Sequence, residues 1–102
     1  MKERLKGILG AFKDKKIMVL GDMIVDEYWF GDIKRVSREA PVLILEQEHS
    51  ESILGGAANT VNNIAALGGK VIPVSIIGDD ESGKKILDLF DKIGVRKDFI
   101  IL

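Results

Sequence analysis

Apolar and polar positions along this chain switch between two spacings, and the switches mark its elements. Leu5, Ile8, Leu9 and Phe12 recur at i, i+3, i+4 and i+7, which predicts an amphipathic helix that packs through this stripe and turns its Lys and Glu residues to solvent. Ile17, Met18, Val19 and Leu20 then run without a polar break until Gly21 and Asp22, the pattern of a strand buried on both faces of a parallel sheet. The carboxyl end of such a strand is where open α/β sheets hold ligands. Residues 23–31 contain the adjacent aromatics Tyr28, Trp29 and Phe30. Neighbours on a strand point to opposite faces, so at least one of the three must contact something other than the main core. Residues 32–41 read as a charged loop ending at Pro41, and residues 42–45 as a strand that turns polar over 46–49. Further on, 70–77 is strand-like, with Pro73 suggesting an edge or irregular position. Ile86, Leu89, Phe90 and Ile93 form the inward stripe of a last helix that Gly94 stops.

Residues 52–69 break the pattern of the rest. In a chain that is 30% charged this stretch holds no charge, yet Asn59, Asn62 and Asn63 fall within five positions and two Gly pairs bracket it. Ala57, Val61, Ile64, Ala65 and Gly68 can share one helical face that packs closely on a sheet. Each Asn costs roughly 0.6 kcal/mol against Ala in a helix, so a polar partner for the other face is expected. Gly55 and Gly56 stand just before the helix, where the first N–H groups lack acceptors and a backbone without Cβ can approach a ligand. A buried helix entered through a flexible turn, with its asparagines facing water, accounts for the same residues.

Length and charge narrow the classes. A chain of 102 residues is one domain or a piece of one. Its 15 basic and 16 acidic residues give a net charge of −1 with no long block of either sign, so nothing favours nucleic acid or an anionic membrane as partner. Three Asn, a Thr and four Gly make residues 52–69 unsuitable as a membrane span. The absence of cysteine removes disulfides, thiol catalysis and thiolate metal sites. With no export signal in the Lys-rich N-terminal stretch, a cytoplasmic protein is expected. The apolar run Phe99, Ile100, Ile101 and Leu102 is an unusual natural terminus, so residues 1–102 are expected to be the N-terminal part of a longer domain.

Other candidate groups carry weaker signals. Lys34, Arg35 and Arg38 could bind phosphate or simply form a solvated loop. His49, the only histidine, has no nucleophile or second imidazole near it in sequence and reads as an exposed strand-end residue. Asp79, Asp80 and Glu81 suit the start of a helix, where they cap N–H groups and complement the dipole, and a Mg²⁺ site is the alternative use.

Three motifs in order carry a resemblance. Gly21-Asp22-Met23-Ile24-Val25-Asp26-Glu27-Tyr28-Trp29, then Arg35-Val36-Ser37-Arg38-Glu39-Ala40-Pro41-Val42, then Gly55-Gly56-Ala57-Ala58-Asn59 resemble the N-terminal part of the ribokinase-like (PfkB) carbohydrate kinases. Within that family they are most similar to the heptose 7-phosphate kinase domains of bifunctional ADP-heptose synthesis proteins. The resemblance implies an α/β fold, the N-terminal part of a three-layer α/β/α core, with a β lid built from the chain after Asp26 and the strand near residues 42–48. It implies that Asp26 binds sugar hydroxyls, that Gly55, Gly56 and Asn59 contact the sugar, and that Asp22 is a second-rank candidate. It also implies a homodimer through the lid, and ATP with Mg²⁺ as cofactors of the complete enzyme. The reaction implied is phosphorylation of the anomeric hydroxyl of a heptose 7-phosphate for lipopolysaccharide precursor synthesis. The alternatives are another sugar or nucleoside kinase of the family, or a non-catalytic ligand-binding or dimerisation module. Arg38 and Leu43 stand where this subgroup usually has Pro, and Thr60 replaces an apolar residue. The family's Gly-Ala-Gly-Asp segment, with the catalytic base and anion hole, has no counterpart here, so the base is expected beyond Leu102 and this chain alone is expected to be inactive.

Overall fold

The computed structural model describes residues 1–36 and 43–102, the side chains of 33–48 excepted. In chain order it contains α1 (Lys2–Gly10), a 3-10 turn (Ala11–Asp14), β1 (Lys16–Leu20), β2 (Met23–Val36), β3 (Leu43–Gly56), α2 (Ala57–Ala66), β4 (Lys70–Ile76), α3 (Glu81–Lys92) and β5 (Ile100–Ile101). β1, β4 and β5 form a parallel sheet in the order β1-β4-β5, and β2 pairs with β3 as a separate antiparallel ribbon. The ribbon and α2 therefore constitute the crossover from β1 to β4. This is an α/β fold with a parallel sheet.

Position 73 departs from expectation, because β4 is the central strand and Pro73 is fully buried in it. The hydrogen-bond parity explains why a proline is tolerated. Lys70 donates its N–H to Lys15 on the β1 side, whereas Ser75 and Ile77 donate to Phe99 and Ile101 on the β5 side. Residue 73 shares the parity of 75 and 77, so its missing N–H faces β5, whose pairing begins only at Ser75.

One face of the sheet is covered. Ala58 and Val61 of α2 and Ile86 and Phe90 of α3 join Val71 of β4, Ile77 just after that strand and Val95 in a single core, with Met23 and Leu54 from the root of the ribbon. Ala58, and not Ala57, lies at the centre of the α2 contact, and Gly68 is no part of it. Gly68 adopts φ +91° and ends the helix, with its N–H donating to Ala65 and that of Gly69 to Ile64. Gly94, at φ +72°, stops α3 in the same way, with Val95 donating to Phe90.

The other face of the sheet is open, which corrects the expectation that β1 is buried on both sides. Met18 and Leu20 are 65% and 76% exposed, and Ile76 in the central strand is 77% exposed. Two layers of an α/β/α arrangement are thus present among the described residues. The stripe of α1 is likewise uncovered, with Leu5, Ile8 and Leu9 exposed. The helix forms where its spacing predicts with no buried residue of its own, while Phe12, the last of the stripe, falls in the 3-10 turn, half-buried beside a cavity lined by Ile64 and Leu67.

The ribbon also departs from the sequence reading. Residues 32–36, expected as loop, continue β2, and β3 runs on through residues 50–56 to the start of α2. Residues 37–42 lie outside the described residues, as do the side chains of Lys34, Arg35 and Arg38 on which a phosphate site would depend. No helix is long and apolar enough to cross a membrane among the described residues.

Candidate functional site

The Gly-Gly pair sits where the ribbon joins the sheet. Ile24 is the register partner of Gly55 and Met23 that of Gly56, so the first residues after β1 run beside the last residues before α2. The junction is tied down twice: Ala57 donates its N–H to the Asp22 carbonyl at 2.9 Å, and the buried Ser75 hydroxyl donates to the Gly21 carbonyl at 2.8 Å. Both bonds hold the turn after β1 against its neighbours at the carboxyl end of the sheet.

The two glycines do different work. Gly55 is buried, and a Cβ built on it would overlap Oδ2 of Asp26 and lie 3.0 Å from its Cγ. Asp26 pairs directly with Ile53, so its side chain shares the face of Gly55 two residues along. The carboxylate lies over the bare backbone that the missing side chain leaves. Gly56 is the N-cap of α2 at φ +57°, and a Cβ there would meet the Asp22 carbonyl oxygen at 2.8 Å. This is a conformation and a spacing that only glycine suits.

Asn59 is the third helical residue after Gly56, exposed and near the end where N–H groups lack intrahelical acceptors. Among the described residues no hydrogen bond is formed by the side chains of Asn59, Asn62 or Asn63. Asp26 is exposed as well, flanked on its face by the exposed apolar side chains Ile24, Tyr28 and Ile53. A carboxylate set among apolar side chains suits a ligand with hydroxyl groups on one side and C–H groups on the other.

Asp22 meets this group through its backbone. Its carbonyl holds the α2 N-terminus, while the residue lines a different cleft of about 380 Å³ with Gly78, Asp80, Ser82 and Gly83. Sequence reasoning missed that cleft, although its signal is visible in the Gly78-x-Asp80-x-x-Gly83 spacing. Asp80 is the N-cap of α3 and accepts from Gly83 N–H at 2.8 Å, and a Cβ on Gly83 would collide with the Gly78 carbonyl. The acidic run thus closes a tight turn. Its residues do not fit Mg²⁺, since the Asp80 carboxylate is committed to the cap and no three metal-ligating side chains are grouped among the described residues.

Farther out on the ribbon Tyr28, Trp29 and Phe30 are all exposed, and Phe30 stacks on its cross-strand partner His49 at 4.7 Å between ring centroids. His49 therefore stands within a long strand and not at its end, 3.9 Å from Glu51. At the ribbon root Glu27 accepts a hydrogen bond from Lys85 of α3. The Lys85 ammonium holds the Glu27 carboxyl below the usual glutamate range, mainly through that bond and then through charge.

Comparison with known proteins decides the family, since residues 14–102 match the description "pfkB family carbohydrate kinase". The chain belongs to this family. It is 38% identical over 101 residues to a bifunctional protein HldE of Pelobacter propionicus, covering 99% of this chain and 21% of that one. It is 42% identical over 85 residues to a D-beta-D-heptose 7-phosphate kinase of Bordetella bronchiseptica, covering 83% and 27%. Among solved structures, a putative sugar kinase from Clostridium perfringens aligns at 32% identity with a TM-score of 0.63, over 85% of this chain and 27% of that one. A fructokinase from Xylella fastidiosa aligns at 26% identity with a TM-score of 0.62, over 88% and 25%. This pfkB-family chain therefore spans about a fifth to a quarter of the length of the proteins it matches.

Proposed function

We propose that this chain forms the sugar-binding part of an ATP-dependent carbohydrate kinase that phosphorylates a heptose 7-phosphate at its anomeric hydroxyl, in the supply of ADP-heptose and lipopolysaccharide precursors in the cytoplasm. The observation that carries the reading is the Asp26 carboxylate lying over the side-chain-free Gly55, beside the N-terminus of α2. Asp26 accepts hydrogen bonds from sugar hydroxyls, Asn59 donates and accepts at the next ones, and the exposed backbone at Gly56 lets the ring approach. The name of the Bordetella bronchiseptica relative supports heptose 7-phosphate as the sugar. Asp22 serves the site through its carbonyl, which holds Ala57 in place.

ATP and Mg²⁺ act in the complete enzyme and are held by residues outside this chain, as is the base that accepts the hydroxyl proton. The ribbon is the lid over the sugar, and its exposed aromatic residues Trp29 and Phe30 are covered in a homodimer.

Calorimetric titration of the protein with heptose 7-phosphate tests the reading. Saturable binding that Asp26→Ala and Asn59→Ala each weaken at least about tenfold is expected, because a buried hydroxyl loses its partner. Equal binding by wild type and Asp26→Ala would overturn the assignment. The likeness to a fructokinase favours a second reading, a different sugar as substrate. A thermal-shift panel of fructose, ribose, nucleosides and heptose 7-phosphate separates the two.

A further inference from the structure

Adjacent residues on a strand face opposite ways, so Asp26 and Glu27 look to different sides of the ribbon while sharing one peptide unit. Asp26 lies over Gly55, and Glu27 reaches to Lys85 on α3. Ser52, the cross-strand partner of Glu27, borders a groove against α3 with Lys85, Asp88, Leu89 and Lys92. Inward of this point Met23 and Leu54 are buried in the core. Outward of it Tyr28, Trp29 and Phe30 on one strand and His49, Ser50 and Glu51 on the other are exposed. The pair thus stands at the level where the ribbon leaves the body of the protein.

We propose that Glu27 and Lys85 form a clasp that fixes the ribbon root on α3 and so sets where the Asp26 carboxylate stands for the sugar. The inference rests on the sugar-site reading above and makes both members positioning residues. Consecutive Cα atoms are about 3.8 Å apart, so a fixed Glu27 leaves Asp26 little travel. A ribbon of two strands has little rigidity of its own and takes its orientation from what it is tied to. The clasp also links α3, which the acidic turn at Asp80 sets on the sheet, to the sugar site on the opposite face of the ribbon. Since a misplacement of the order of 1 Å in a binding constellation costs up to about a hundredfold, releasing the clasp has a measurable effect on ligand affinity even where it hardly alters global stability.

The experiment compares wild type, Glu27→Gln, Lys85→Met and the exchanged double variant Glu27→Lys with Lys85→Glu. Two quantities are read: amide hydrogen exchange at residues 24–28 and 52–55, with β4 as internal control, and affinity for heptose 7-phosphate. Each single variant is expected to speed exchange at Asp26 and Glu27 about tenfold while β4 is unchanged. Each is also expected to weaken heptose 7-phosphate about tenfold, with the exchanged pair restoring both to within about twofold of wild type. A pair that serves general stability alone would speed exchange in β4 as well, and that result overturns the clasp. So does unchanged exchange in the single variants, or failure of the exchanged pair to restore it. If wild type shows no affinity for heptose 7-phosphate, the sugar reading falls, and exchange in the ribbon still decides whether the clasp exists.

Discussion

Gly55 and Gly56 are neighbours with opposite dependences. At Gly55 the backbone is extended and the obstacle to a side chain is the far end of Asp26, an exposed group that can rotate away. Gly55→Ala is therefore expected to change stability by less than about 0.5 kcal/mol while weakening heptose 7-phosphate at least about tenfold, by denaturant melts and calorimetry respectively. At Gly56 the obstacle is a backbone carbonyl and φ is positive. Gly56→Ala is expected to cost about 2–3 kcal/mol in the same melts. Glu27 supplies a pH dependence. Its carboxyl titrates below the usual range because Lys85 donates to it, so the folded state binds the proton less readily than the unfolded chain. The contribution is present above the ordinary glutamate pKa of about 4.3 and is lost as pH falls through the lowered value. The difference in melting temperature between wild type and Glu27→Gln should be constant from pH 8 to about pH 5 and close below that. Asp88 and Lys92, which border the same groove on α3, are unchanged between the two proteins and cancel in the difference.

At the scale of elements, the β2–β3 ribbon asks most for a partner. Its root is buried through Met23 and Leu54, but Tyr28, Trp29 and Phe30 are exposed together on consecutive positions. Two faces of one ribbon thus present aromatic surface, and a partner ribbon can cover them. Light scattering is expected to read a dimer, and Trp29→Ser with Phe30→Ser to shift it to monomer without loss of helical circular dichroism. A wild-type monomer at millimolar concentration would refute the lid interface. The helices show how far spacing alone carries. The α3 stripe through Ile86, Leu89 and Phe90, its Asp80 cap and its Gly94 stop were legible, because each is a local hydrogen-bonding or steric requirement, whereas Ile93, expected in the same stripe, caps the helix and is exposed. The ribbon's extent was not, since residues 32–36 and 50–56 are polar or Gly-rich and become strand only through pairing with each other.

At the scale of the whole molecule, the parallel sheet has helices on one side and Met18, Leu20 and Ile76 bare on the other, so among the described residues the third layer that such sheets carry is missing. Phosphoryl transfer needs nucleotide, metal and proton acceptor held together with the sugar, and residues 1–102 contain no Gly-Ala-Gly-Asp segment. An assay with ATP, Mg²⁺ and heptose 7-phosphate is expected to read no turnover. A rate of roughly 1–10³ s⁻¹, abolished by Asp26→Ala, would instead put a complete active site within these residues. The sequence by itself determined the positions of the helices, the strands β1 and β4 and the glycine-led entry to α2, because turn, cap and period are properties of neighbours in the chain. Tertiary structure alone decided that Pro73 sits in the central strand, that Asp26 lies over Gly55 and that Glu27 meets Lys85. Those contacts join residues far apart in sequence, and their strength depends on which backbone faces are brought together, which no local pattern encodes.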